Sequence, residues 1–225
     1  MNDPAVSDPA VSDPAVSDAP PAVAAFDVDG TLTTRDCVVP FLELLVGRGR
    51  LMAGIAAHPL AIANGLLRRD RDRIKAVAIR AAFTGRRETD VVRLGERFAE
   101  TVHATWMRPD TAARLAWHRD QGHRIVIVSA SLGVYLRALG AALGVDAVLC
   151  TEPVVARDGR YTGEMAGGNC RGPEKWRRLD SWMVAAGLAG ADLWAYGDSA
   201  GDREMLAAAQ HPFLVKDIVI DAVPA

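Results

Sequence analysis

Two aspartates one residue apart, Asp27 and Asp29 in AAFDVDGTLT, are the first residues in this chain with the means to do chemistry. Side chains alternate along a strand, so residues i and i+2 point the same way, roughly 6–7 Å apart, while Val28 faces elsewhere. Carboxylates that converge on one spot repel, so one takes up a proton or a cation sits between them. GDSAGD supplies two more acids, Asp198 and Asp202. Four carboxylates from two strand ends make an oxygen-rich site for a hard cation, and Mg2+ is the usual one when phosphate is the other ligand. Ser129, ending RIVIVS, adds a hydroxyl, and Lys175, in GPEKWRRL, adds an ammonium. A hydroxyl, an ammonium and Mg2+ at one point describe a pocket for a phosphoryl group. One carboxylate there attacks phosphorus, and the other handles the proton on the leaving oxygen.

Those residues need a frame that brings strand ends together. Pro21 to Phe26 is a short apolar run leading into Asp27, and Arg124 to Ser129 and Asp192 to Gly197 are two more of strand length. Helical patterns occupy Thr111 to Gln121, Leu132 to Leu143, Pro173 to Ala186 and Ala200 to Ala209. Strands alternating with helices predict an α/β fold on a mostly parallel sheet covered on both faces. Ligands of such sheets bind at the carboxyl ends of the strands, where Asp27, Ser129 and Asp198 fall. Gly30, next to the paired acids, lets the chain turn sharply or approach a ligand closely.

With 225 residues, 50% of them hydrophobic and 24% charged, the chain is long enough for one sizeable core and a smaller second module. A net charge of -2 gives no reason to expect nucleic acid or a polybasic membrane anchor as partner. Cys37, Cys150 and Cys170 form no C-x-x-C pair, so neither a disulfide framework nor a zinc site is expected, and a reducing cytoplasm fits best. The five histidines show no ligand spacing, and the tryptophans read as packing residues. Residues 1–21 carry DPAVS three times in succession. A proline every fifth residue cannot sustain a helix or bury a core, so this tail is expected to be disordered. It lacks the basic start and apolar stretch of a signal peptide, and no secretion is expected.

In this order and at these separations, FDVDGTLT, VSAS, Lys175 and GDSAGD resemble the haloacid dehalogenase (HAD) superfamily of phosphohydrolases, and more closely its subclass IB, the phosphoserine phosphatase-like group. The resemblance runs from residue 22 to residue 216. It implies a HAD-like Rossmannoid parallel-sheet core, residues 22–34 and 109–225, with a helical cap inserted at 35–108. It also implies a Mg2+-dependent phosphomonoester hydrolase that acts on a small phosphorylated metabolite through an aspartyl-phosphate. Asp27 matches the nucleophile, and Asp29 the acid that protonates the leaving group and then activates water. Asp27, the main-chain carbonyl of Asp29 and Asp198 match the Mg2+ ligands, and Asp202 a residue supporting the metal shell. Ser129 and Lys175 match the phosphate binders, with Arg171, four residues upstream, as the alternative to Lys175. Asp36 stands nine residues after the nucleophile, where phosphoserine phosphatases carry a glutamate that recognises the substrate's amino group. A helix N-cap role explains Asp36 equally well. Gly201 and Ala130 replace the asparagine and glycine of phosphoserine phosphatases, so the resemblance carries the chemistry further than the substrate.

The expected cap has helical stretches near Cys37 to Val46, Leu51 to Leu67, Arg71 to Phe83 and Glu88 to Thr105. It holds 14 Lys and Arg against 8 Asp and Glu, a balance of +6 that leaves -8 on the remainder. Such a cap can dock on an acidic body and attract an anionic substrate. Arg80 or Lys75 is placed to meet a second anionic group. LMAGIAAHPLAIANGLL, Leu51 to Leu67, has no charge but is broken by His58-Pro59 and Asn64-Gly65, too short for a comfortable membrane span and expected to be cap core. If exposed, it points to an amphiphilic phosphate such as a lipid precursor. A rival reading is a non-catalytic aspartyl-phosphate signalling protein, akin to response-regulator receivers. Receivers, however, lack a helical insert after the first strand and any counterpart of GDSAGD.

Overall fold

The computed structural model describes residues 22–68, 70–216 and 218–223. The DPAVS repeats, and Pro21 at the start of the expected first strand, lie outside the described residues. Six strands form one sheet: β1 (Val23–Phe26), β2 (Arg124–Leu132), β3 (Ala147–Val155), β4 (Tyr161–Ala166), β5 (Leu193–Gly197) and β6 (His211–Leu214). Their order is β4-β3-β2-β1-β5-β6, with every pair parallel except β3–β4. After β1 the chain builds outward on one side through β2 and β3, then returns to lay β5 and β6 on the other. β1 is therefore the point where strand order reverses, and such switch points open a crevice at the strand carboxyl ends.

All four residues of β1 are fully buried, as a strand covered on both faces requires. Alternation divides them between two apolar clusters. Ala24 and Phe26 join Ile125 and Ile127 of β2 on one face, and Val23 and Ala25 join Val126 and Val128 on the other. The second face is covered by α8 (Pro173–Ala185) and α9 (Arg203–Ala208), through Leu179, Met183 and Met205. The first is covered by α6 (Pro109–Asp120), α7 (Gly133–Leu143) and the helices that follow β1.

Those helices are α1 (Val38–Val46), α2 (Arg48–Ala56), α3 (Pro59–Leu67), α4 (Arg71–Phe83) and α5 (Glu88–Thr105). α5 packs along α7, and its Phe98 lies 5.2 Å from Tyr135 of α7 and 5.4 Å from Phe41 of α1, ring centroid to centroid. One apolar cluster thus runs from the sheet into α1 and α4, which fixes the insert over the strand ends.

The stretch Leu51 to Leu67 departs from expectation. It is two helices, divided at His58-Pro59 where proline opens α3, whereas Asn64-Gly65 stays within α3. Nor is it cap core throughout: Leu51 is buried, but Met52, Leu60 and Leu67 are 57%, 80% and 84% exposed. α3 packs mainly on α4 and α2, and its Leu60 and Leu67 face solvent. No helix among the described residues is long and apolar enough to cross a membrane.

β3, β4 and β6 have no counterpart in the sequence reading. β3 carries Glu152 and Pro153 in its second half, β4 alternates polar and apolar residues over only six positions, and β6 is a four-residue strand containing Pro212. Their strand state comes from pairing partners rather than from local propensity. The expected helix Ala200 to Ala209 is a 3-10 turn, Ala200–Asp202, leading into α9.

Candidate active site

β1 ends at Phe26, and the main chain of Asp27 still pairs with β5, its N–H donating to Tyr196 O at 2.9 Å. That pairing aims Asp27 into the crevice, 6% exposed. Its Oδ1 accepts from Lys175 Nζ at 2.6 Å, and the same ammonium binds Asp202 Oδ1. Carboxylate oxygens of Asp27, Asp198 and Asp202 lie within 4.8 Å of one another. Gly30 makes room for this group: at φ +80°, it brings the main chain so close that a β-carbon would sit 2.3 Å from Asp198 Oδ2.

Charge is unbalanced here. Burial pushes the Asp27 carboxyl up to about 7, against the pull of Lys175 and with further push from Asp202 and Asp29. Burial first, then Asp202, also raises Asp198. Burial opposes charge on Lys175, but Asp27 and Asp202 outweigh it and hold the ammonium charged above its ordinary range. Burying one unpaired charge costs several kcal/mol, and one ammonium cannot neutralise three clustered carboxylates. The donor set is all oxygen, so it fits a hard divalent cation such as Mg2+.

Asp202 is the most committed of the three. Its Oδ2 accepts from Ser199 N at 3.0 Å and Ser199 Oγ at 2.9 Å, closing the 3-10 turn in a capping box, while Oδ1 holds Lys175. Lys175 lies in the first turn of α8, 2% exposed. Arg171 lines the crevice beside the glycine at 201, where a β-carbon would meet its Cγ and Nε at 3.2 Å. Of the two candidate phosphate cations, Lys175 contacts Asp27, and Arg171 lies across Gly201.

Asp29 is held apart from that group. Its Oδ1 accepts from Cys37 N at 2.9 Å and its Oδ2 from Ser131 Oγ at 2.6 Å; Ser131 Oγ in turn accepts from Tyr135 OH at 2.8 Å. Burial raises its pKa above the ordinary carboxylate value, with Asp36 adding to the rise and the Ser131 and Cys37 contacts opposing it. Ser129, 1% exposed, lies where the register of β2 on β3 shifts, and its Oγ accepts from Ser131 N at 3.1 Å. Asp36 is exposed at the crevice edge and its Oδ2 accepts from Val39 N at 3.0 Å, the contact of a helix-capping acid. Lys75 of α4 donates to Ala130 O and, at 2.7 Å, to Asn169 Oδ1; burial holds its pKa down to about 8.

Four residues that the sequence did not single out adjoin the candidate site: Ser199 and Asn169 line the crevice, Ser131 bonds Asp29, and Tyr135 bonds Ser131. VSAS did carry a signal for Ser131: it stands two residues after Ser129, the same spacing that pairs Asp27 with Asp29.

The chain belongs to the haloacid dehalogenase-like hydrolase family, whose model matches residues 24–207. It is similar to "Protein CicA" of Caulobacter vibrioides, 34% identical over 84% of this chain and 83% of that one. It is also similar to a "Probable phosphatase" of Mycobacterium tuberculosis, 26% identical over 85% of this chain and 68% of that one. Its fold matches a phosphoserine phosphatase structure holding an analogue of the phospho-aspartyl intermediate, with a TM-score of 0.58 and 18% identity over 84% of each chain.

Proposed function

We propose that the protein is a phosphatase that hydrolyses phosphomonoesters through a phosphorylated Asp27. The observation that carries this reading is the separation of two kinds of carboxylate. Asp27 shares a buried cluster with Asp198, Asp202 and Lys175, whereas Asp29 is held outside it by Cys37 N and Ser131 Oγ. A nucleophile needs its negative charge balanced by cations, which Lys175 supplies in part and a bound divalent cation would complete; a general acid needs a raised pKa, which burial gives Asp29.

With Oδ1 held by Lys175, Asp27 Oδ2 attacks phosphorus, and the bond from phosphorus to the substrate oxygen breaks. Asp29 gives its proton to that oxygen, so the alcohol leaves neutral. The Asp29 carboxylate then takes a proton from water, whose oxygen attacks phosphorus, and the acyl-phosphate bond breaks to release phosphate and restore Asp27. Lys175 and the Ser129 hydroxyl bind the phosphoryl oxygens, with Arg171 at the edge. Asp27, the main-chain carbonyl of Asp29 and Asp198 would hold Mg2+, and Asp202 keeps the GDSAGD loop and Lys175 in place. Bound Mg2+ supplies charge neutralisation to the phosphoryl oxygens. Ser131 and Tyr135 are positioning residues for Asp29.

Phosphate release from simple phosphomonoesters, with and without Mg2+, tests this. Asp27→Asn is expected to abolish turnover while leaving the circular dichroism spectrum unchanged. Normal turnover in that variant would overturn the assignment. A stable phosphoryl group on Asp27 without release would favour the signalling alternative.

A further inference from the structure

The crevice does not end at the acids. It widens into a cavity of about 670 Å3, within the range of roughly 300–1,000 Å3 common to small-molecule pockets. Its floor is the polar site at the strand ends. Above it, eight apolar side chains from α1, α2 and α4 form the wall, among them Val39, Leu42, Leu51, Met52, Ile55 and Ile74. Val39 and Met52 remain 53% and 57% exposed, so the apolar wall reaches solvent.

Five charged side chains from the same insert also border the cavity: Arg35, Asp36, Glu43, Asp72 and Lys75. Each has a partner within the protein. The Arg35 guanidinium lies 4.4 Å from the centre of the Trp106 ring, and Asp36 caps α1 through Val39 N. Glu43 lies 3.7 Å from Arg48, an exposed pair and the weakest of the set. Asp72 accepts from Asn169 Nδ2 at 2.6 Å, and Lys75 donates to Asn169 Oδ1 and Ala130 O. A zwitterionic carrier such as the serine of phosphoserine would have to compete with these contacts to pair its ammonium and carboxylate. An uncharged aliphatic carrier breaks none and buries apolar surface.

Resting on the phosphatase reading, we propose that the substrate is a phosphomonoester of an apolar alcohol, its phosphate at Asp27 and its hydrocarbon against α1, α2 and α4. Such an amphiphile is available either free in solution or embedded in a bilayer. Burying a methylene stabilises by about 0.8 kcal/mol, which is about a threefold to fourfold gain in affinity.

The test is a series of n-alkyl phosphates from ethyl to decyl, beside phosphoserine, with the matching n-alkylphosphonates as ligands that cannot be hydrolysed. We expect kcat/KM to climb about threefold per methylene until the wall is covered, and phosphonate Kd to tighten in parallel. Phosphoserine should fall below propyl phosphate. Met52→Ser and Val39→Ser, both at exposed positions, should flatten the climb for the longer chains. A flat series with turnover intact, or phosphoserine as the preferred substrate, overturns this proposal and spares the phosphatase reading. Phosphonates that bind in the expected order without hydrolysis of any ester overturn the phosphatase reading and leave the apolar chamber standing. Decyl phosphate is also offered as monomer and in phosphatidylcholine vesicles. Faster turnover from vesicles supports a bilayer source, and faster turnover of the monomer supports a free one.

Discussion

At Asp29, two hydrogen bonds decide what a carboxylate can do. Ser131 Oγ and Cys37 N both stabilise its charged form, and burial stabilises its neutral form more. We expect Asp29→Asn to lower kcat on alkyl phosphates by about 100-fold to 10,000-fold. The loss should be much smaller on an aryl phosphate, whose phenolate leaves without a proton. Ser131→Ala is milder. Losing one donor to a charged acceptor should cost about tenfold in kcat. It should also move the acidic limb of the pH–rate profile upward, because the carboxylate form needed to activate water is then less stable. A rate loss with an unmoved profile would make Ser131 merely structural. Asp27, Asp29, Asp198 and Asp202 were legible because strand alternation and a glycine-punctuated loop are local signals. Tyr135 was not, because its link to Asp29 passes through Ser131 and joins α7 to the residues after β1.

Between elements, α6 meets β5 through a buried polar contact below the sheet. His118 of α6 is fully buried, with Nε2 2.8 Å from Tyr196 OH and Nδ1 2.7 Å from His123 Nδ1. Burial, with His123 and Arg114 adding to it, pulls its pKa down to about 3. Below its ordinary value near 6.5 the unfolded chain takes up a proton that the folded one refuses, so stability falls as the pH drops from there towards 3. The slope from this one group is at most about 1.4 kcal/mol per pH unit. Urea titrations between pH 7 and 4.5 should show that loss in the native chain and a shallower one in His118→Gln. Equal slopes would mean that other groups carry the acid sensitivity. Little of this contact could be read from sequence, since isolated histidines without ligand spacing carry no pattern; the expectation that they are structural fits the buried His118.

For the molecule as a whole, the cluster of Asp27, Asp198 and Asp202 joins the end of β1 to the end of β5 and the loop after it, the same ends that α1, α2 and α4 cover. A cation that binds the folded chain alone stabilises it, by about 2.7 kcal/mol at a hundredfold excess over Kd. We expect Mg2+ to raise the thermal midpoint and EDTA to remove the gain. Asp198→Asn should abolish the response. An unchanged midpoint in saturating Mg2+ would count against the site. The insert carries +6 and residues 22–34 with 109–225 carry 12 Lys and Arg against 16 Asp and Glu, a balance of -4, so long-range attraction draws it toward the acidic body. What seats it is the aromatic contact among Phe41, Phe98 and Tyr135, which a charge count does not show.

The sequence by itself determined the parallel α/β class, the four acids at two strand ends, and the helical character of the segment after β1. Periodicity and adjacency within about ten residues are enough to specify each of these. Only the tertiary structure decided what lies opposite what. It made strands of β3, β4 and β6 by pairing, left the outer face of α3 exposed, and set Ser131 against Asp29. It also turned the apolar sides of α1, α2 and α4 toward the acids while giving the charges beside them partners within the protein. A helix's apolar stripe is written in its own residues, but whether that stripe meets a core, a cavity or water depends on elements far away in the chain.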